Sequence, residues 1–335
     1  MASRAGTKYT TNPFRFLQAY FSHRADYSTA VSSTQINMDN TPRRAVMYCP
    51  GDDIKKINKG LTSKADCIVL DCEDGVAINR KETARDLIKS VFDSVVPVRP
   101  EVSLRVNSVS SGLCDKDLAV ILSASHTPQT IFLPKVESVE NLQWFAEQLG
   151  QHLRKDSRLK LVMYAESAQA ILDLPDICRA AVQLSRSHMF VPVGLVFGSD
   201  DLCASLGAAR SVDGSEILYA RQRLVLVAKA FGLQAIDMVH IQFKDVDSLR
   251  EQSIAGARLG YTGKQVIHPN QIETVQSAFL PSPEQVQWAR EVVKGFNLSQ
   301  QEGRGAFVHA GSMVDMPLLR QAENIIRISE IDGRD

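Results

Sequence analysis

The sequence predicts an α/β protein folded as a (β/α)8 TIM barrel with a C-terminal helical extension, and three observations carry that prediction. Its 335 residues, 44% of them hydrophobic, suffice for one large core, and barrels of roughly 250 residues plus extensions fit such a length as a single domain. After Arg44, eight short β-rich runs follow one another: Ala45 to Cys49, Asp66 to Leu70, Val102 to Val106, Thr130 to Leu133, Leu159 to Tyr164, Val193 to Phe197, Leu233 to Val239 and Lys264 to Ile267. Helical stretches separate them, which is the pattern of βα units and a parallel sheet.

The chain opens differently. Met1 to Ala25 contain Arg4, Lys8, Arg15 and Arg24, many Ser and Thr, and apolar residues around Phe14 to Phe21, with no acid before Asp26. A basic, hydroxyl-rich, acid-free start is the composition of a mitochondrial presequence. Residues 1–40 are therefore expected to be presequence and linker, with the mitochondrial matrix as destination, and the barrel is expected over 41–280. Its helices show one apolar face each, as outer barrel helices require; Val139, Leu142, Phe145 and Leu149 form one such stripe. Past the eighth run, Ser282-Pro283-Glu284-Gln285 combines a Ser N-cap, Pro at the first helical position and the Gln of a capping box. The helix that starts there leads to a Gly-rich stretch, Gly303 to Pro317, and then to a last helix from about Leu318 to Ser329. These segments make up an extension over 281–335.

Composition narrows the function classes. Lys plus Arg and Asp plus Glu both total 38, so no net field points to nucleic acid or to an anionic membrane surface. No stretch reaches the 18 or so consecutive apolar residues of a transmembrane helix. The six cysteines form neither a CxxC pair nor a Cys/His cluster, which suits a reducing compartment and provides no zinc spacing. The expected partner is a small molecule.

In a TIM barrel the active site forms at the C-terminal strand ends and the loops that follow. The polar residues just past the runs are Asp71 to Asp74, Arg105 and Asn107, Lys135 and Glu137, Glu166, Asp200 and Asp201, Asp237 and His240, and His268. This ring is rich in carboxylates and holds one arginine. Converging carboxylates favour a hard cation bound by oxygens, Mg2+ or Mn2+ rather than zinc. Glu166 and one of Asp200 and Asp201 stand at adjacent strand ends, within reach of one ion. The same acids also suit the caps of the following helices, and spacing alone does not choose between the two. Arg105 can grip a carboxylate or oxo group bidentately, or organise the mouth by pairing with Glu73 or Asp74. Lys55, Lys56 and Lys59, after the first run, offer either phosphate contacts or a solvated helix face. His268 is expected as a wall of the site.

Taken in order, Leu70-Asp-Cys-Glu-Asp-Gly-Val76, Leu104-Arg-Val-Asn107, Leu133-Pro-Lys-Val-Glu137, Phe197-Gly-Ser-Asp-Asp-Leu202 and Gly263-Lys-Gln-Val-Ile-His-Pro-Asn-Gln271 resemble the HpcH/CitE family of Mg2+-dependent CoA lyases, from about Arg43 to the C-terminus. The resemblance implies that Glu166 and Asp201 bind Mg2+ and that Arg105 binds the oxo-acid portion of the substrate. It also implies that backbone around Ile267, His268 and Pro269 meets the adenine of CoA. Asp315, in Gly311-Ser-Met-Val-Asp-Met-Pro-Leu318, matches the acid of a mobile lid that in trimers reaches a neighbouring subunit's site. There it would act as general acid or base at the carbon next to the thioester. The implied reaction joins or splits a 2-oxo acid and an acyl-CoA, with citramalyl-CoA ahead of malyl-CoA as substrate and malate synthase-like or thioesterase chemistry as side activities. The alternative is a non-catalytic CoA-binding relative. Two positions depart from the usual motif: Asp200 stands where Glu is common and Ser167 where Thr is common.

Overall fold

The computed structural model describes residues 41–94, 99–301, 303 and 305–330, so the expected presequence lies outside the described residues. The apolar runs become eight strands: β1 (Ala45–Pro50), β2 (Cys67–Asp71), β3 (Glu101–Arg105), β4 (Thr130–Leu133), β5 (Leu159–Ala165), β6 (Phe190–Phe197), β7 (Gln234–Asp237) and β8 (Gly263–Val266). They pair in sequence order as a closed parallel barrel, and Ala45 opposite Lys264 and Met47 opposite Val266 close the ring. Between them lie α1 (Ile54–Leu61), α2 (Lys81–Asp93), α3 (Cys114–Ile121), α4 (Val139–His152), α5 (Ala168–Leu184), α6 (Ser199–Leu206) with α7 (Leu218–Ala230), and α8 (Val246–Leu259); α9 (Ile272–Ala278) follows β8.

Strand residues alternate between two cores because successive side chains leave opposite faces of a strand. Val46, Cys67, Val69, Phe132, Val162, Val196 and Ile236 fill the barrel interior. Ala45, Met47, Ile68, Leu70, Ile131 and Leu161 face the helices. The same parity sets which residues reach the mouth from inside. Tyr48 is two beyond Val46, Asp71 two beyond Val69, and Tyr164 and Glu166 continue the series from Val162. At the opposite end, Arg43 closes the floor with two 2.6 Å bonds to the buried carboxylate of Glu101.

The extension has a core of its own. It comprises α10 (Pro283–Gln301), β9 (Phe307–His309), β10 (Ser312–Val314) and α11 (Met316–Ser329). Ala289, Val292, Phe296, Val314, Leu319 and Ala322 pack together there. The predicted capping box forms at Ser282: its N–H donates to Gln285 Oε1 and its hydroxyl accepts from Gln285 N–H. The Gly-rich stretch, for which no strand is expected, holds the β9–β10 hairpin. Ala310 and Gly311 both take positive φ, 50° and 81°, in its two-residue turn, the geometry that matches strand twist in tight hairpins. Among the described residues no helix is long and apolar enough to cross a membrane.

Candidate active site

The site starts from Asp71, the last residue of β2. Both its oxygens hold Arg105, from Nε and a terminal nitrogen, each at 2.6 Å. They also accept the N–H groups of Glu73 (2.8 Å) and Gly75 (3.0 Å). The loop thus wraps around one carboxylate, and Gly75 is required because a Cβ there would stand 2.5 Å from Asp71 Oδ2. The other terminal nitrogen of Arg105 lies 3.0 Å from Glu73 Oε2, so the mouth-organising pairing falls on Asp71 and Glu73 rather than Asp74. Beneath it, Tyr48 and Tyr164 share a hydroxyl contact of 2.5 Å. The guanidinium carbon sits 5.2 Å and 5.9 Å from their ring centres, within cation–π range. Burial pushes both phenols up, which keeps both protonated. A guanidinium has five N–H groups, and Asp71 takes two of them, leaving N–H groups on both terminal nitrogens.

Glu166 follows β5 and is 5% exposed. Its Oε1 accepts the backbone N–H of Lys135 at 2.6 Å, while its far side packs on Gly198, where a Cβ would stand 2.4 Å from Glu166 Cβ and 2.5 Å from Oε2. Burial first, and the nearby Asp201 charge second, push its carboxyl up to about 8. Asp201 lies in the first turn of α6, which Gly198 begins without a side-chain cap; neither it nor Asp200 serves as the N-cap. Asp200 is taken up by Arg210, which also bonds the carbonyl of Val239. Asp201 is left half-exposed, 3.9 Å from the Lys135 ammonium.

A divalent cation fits this pair. The buried Glu166 carboxyl faces a second acid whose charge adds to the burial that pushes it up, and the donors are all hard oxygens. Among the described residues no group of three or more His, Cys, Asp or Glu is arranged to enclose an ion, so most of the coordination sphere would fall to water and substrate, as Mg2+ prefers. Because Gly198 seats Glu166, Gly198→Ala should lower Mg2+ affinity by about tenfold or more. Isothermal titration checks this, and an unchanged affinity would take Glu166 out of the coordination sphere.

The other predicted residues are placed unequally. Lys55 and Lys56 lie exposed in the first turn of α1, their N–H groups bonded to the Asp53 cap. Ile267 and His268 donate backbone N–H groups to Gln271 Oε1, whose amide donates to His240 O at 2.9 Å. This clamp fixes the turn that leads into Pro269, and the His268 ring stacks on Phe243 with centroids 4.9 Å apart. Asp315 stands on the C-terminal extension. It is exposed and caps α11, accepting from Leu318 N–H at 3.3 Å, and makes no ion pair or hydrogen bond to a described barrel residue. Tyr48, Tyr164 and the structural use of Asp71 and Lys135 were missed as site features; strand parity was the available signal for the two tyrosines.

A model of the HpcH/HpaI aldolase/citrate lyase family matches residues 44–269. The chain belongs to that family. It is 46% identical over 300 residues to a protein named citramalyl-CoA lyase, mitochondrial, from Rattus norvegicus, covering 89% of each chain. To the protein of the same name from Homo sapiens it is 47% identical over 291 residues, covering 86% of each. The crystal structure of CitE from Mycobacterium tuberculosis in complex with magnesium, acetoacetate and coenzyme A superposes with a TM-score of 0.70 at 30% identity, over 87% of this chain and 99% of that one. The family is one of carbon–carbon lyases, and the overall fold is shared with that structure.

Proposed function

We propose that this chain is a Mg2+-dependent citramalyl-CoA lyase, splitting citramalyl-CoA into acetyl-CoA and pyruvate. The observation that carries the reading is that Arg105, Glu166 and Asp201 converge on one barrel mouth in a chain 46% identical to a relative bearing that name. Glu166 and Asp201 hold the ion. Bound Mg2+ supplies Lewis-acid polarisation of the oxygen that becomes the oxo group of pyruvate. N–H groups of Arg105 not taken by Asp71 receive the substrate carboxylate, with the guanidinium held in place by Asp71, Glu73 and the tyrosine rings. The hydroxyl proton passes to solvent as the carbon–carbon bond breaks, and the bond's electrons pass to the thioester enolate. Asp315 then delivers a proton to that carbon to give acetyl-CoA, and in the condensing direction removes it. Backbone at Ile267, His268 and Pro269 meets the adenine, and Lys55 and Lys56 meet phosphates.

Residues 281–335 serve as a lid in a homotrimer. Supporting this, Leu172 on α5 and Tyr219 and Leu226 on α7 form an outward apolar face, 61%, 68% and 72% exposed, of the kind that association covers. Val308 and Met313 on the hairpin are exposed beside Asp315. Residues 1–40 act as presequence and linker ahead of the 41–280 barrel and direct the mature chain to the mitochondrial matrix, a reading that the mitochondrial names of the relatives support.

Purified protein given citramalyl-CoA and Mg2+ should yield equal amounts of acetyl-CoA and pyruvate by mass spectrometry, and none with a chelator. Free CoA with citramalate would mark a thioesterase. Preference for malyl-CoA would move the substrate by one methyl group, a difference worth about 1–3 kcal/mol. No turnover of any 3-hydroxyacyl-CoA would leave a binding protein.

A further inference from the structure

Lys135 is the residue at the mouth whose conformation needs explaining. It follows β4 with φ of +52°, a left-handed conformation that few residues other than glycine adopt. Such outliers persist where the surroundings enforce them and concentrate at functional sites. Here the backbone turn aims the N–H of Lys135 at Glu166 Oε1, 2.6 Å away. Glycine would supply that N–H without strain, so a side chain at this position points to a second task.

That task is visible in the ammonium's neighbours. Nζ lies 2.7 Å from Glu73 Oε1, 3.3 Å from Asp74 Oδ1 and 3.9 Å from Asp201 Oδ1. It therefore joins Glu73, which also holds Arg105, and Asp74 to the acid at the start of α6. The side chain is 32% exposed, so solvent screens part of its charge. Even at the dielectric of water, a unit positive charge at about 5 Å opposes any doubly charged cation by on the order of tenfold.

We infer that Lys135 is a positioning residue with two opposed effects: its backbone orients Glu166, and its ammonium holds down the affinity of Glu166 and Asp201 for a divalent cation. The inference rests on the Mg2+ assignment above. A residue that merely stabilised the fold would weaken metal binding when removed, whereas this arrangement requires the reverse.

The test is Mg2+ titration of the full chain by calorimetry, with no substrate present. Lys135→Met should bind Mg2+ on the order of tenfold more tightly than the native chain, while Lys135→Arg should stay near it. The Met-to-native ratio should shrink in 0.5 M salt, because exposed charges are screened. Should the Met variant fail to fold, Lys135→Gln removes the charge while keeping a polar side chain, with the same expectation. Equal or weaker binding by a folded, uncharged variant overturns the inference. Glu166→Gln run in parallel separates the two levels: if it binds Mg2+ like the native chain, the metal assignment has failed rather than the role of Lys135.

Discussion

Replacing Glu166 with Gln should lower Mg2+ affinity by more than about 100-fold, equivalent to about 2.7 kcal/mol, and abolish lyase turnover at ordinary Mg2+ concentrations. The amide keeps the shape of the side chain and an oxygen for the Lys135 N–H, so the loss isolates the missing charge. A pH series sharpens the result. Burial and the adjacent Asp201 push the Glu166 carboxyl up to about 8, so at pH 7 most of it carries a proton that a cation must displace. Mg2+ affinity should therefore climb as pH rises from 6.5 toward 8.5 and level off above, with proton release on binding at pH 7. In the Gln variant that slope should vanish. Native affinity in the variant, or no pH dependence in the native chain, would show that Glu166 does not carry the ion.

Much of this was legible from residue order, for identifiable reasons. Strands buried on both faces read as continuous apolar runs, which is why all eight were found with ends displaced by only a few residues. The largest displacement is at β6, which begins at Phe190 rather than Val193. Pro192 argues against a strand there, but it falls where the β5–β6 register shifts, between Leu161 and Val162, and an irregular ladder tolerates a missing N–H. Glu166, Arg105 and the pair Asp200-Asp201 emerged because the C-terminal strand ends of a barrel build its site, and the family resemblance, not the spacing, chose Asp201 from that pair. The β9–β10 hairpin did not emerge: its turn is Ala310-Gly311 rather than Asn-Gly or Asp-Gly, and its Phe307 packs where a Cβ on Gly295 would come within 2.5 Å of the ring. That contact joins residues of two elements. The left-handed turn at Lys135 is equally silent in sequence, since lysine carries no preference for it.

Asp315 gives the second large effect, and the place of α11 decides its form. Asn324, Arg327 and Ile328 of that helix line a cavity of about 220 Å³ together with Arg43, Arg44, Gln234 and Thr262. Those barrel residues precede or begin their strands, so the C-terminal half of α11 sits at the floor of the barrel, the end opposite Arg105 and Glu166. Asp315 caps the other end of the helix, about 20 Å away along its axis at 1.5 Å per residue. A lid anchored beneath its own barrel is suited to serving a neighbour. Asp315→Ala should then leave Mg2+ titration intact while lowering turnover about 10²- to 10⁴-fold, the range of a general acid–base group. Loss of metal binding in this variant would mean that its role is misassigned. Mixing it with Glu166→Gln and allowing verified subunit exchange should restore activity, because a barrel with intact Glu166 can meet a lid with intact Asp315. In the proposed homotrimer, equal amounts mixed at random should leave about a quarter of the sites whole. Recovery requires two copies to share one site, whereas none after exchange would mean that each lid closes on its own barrel.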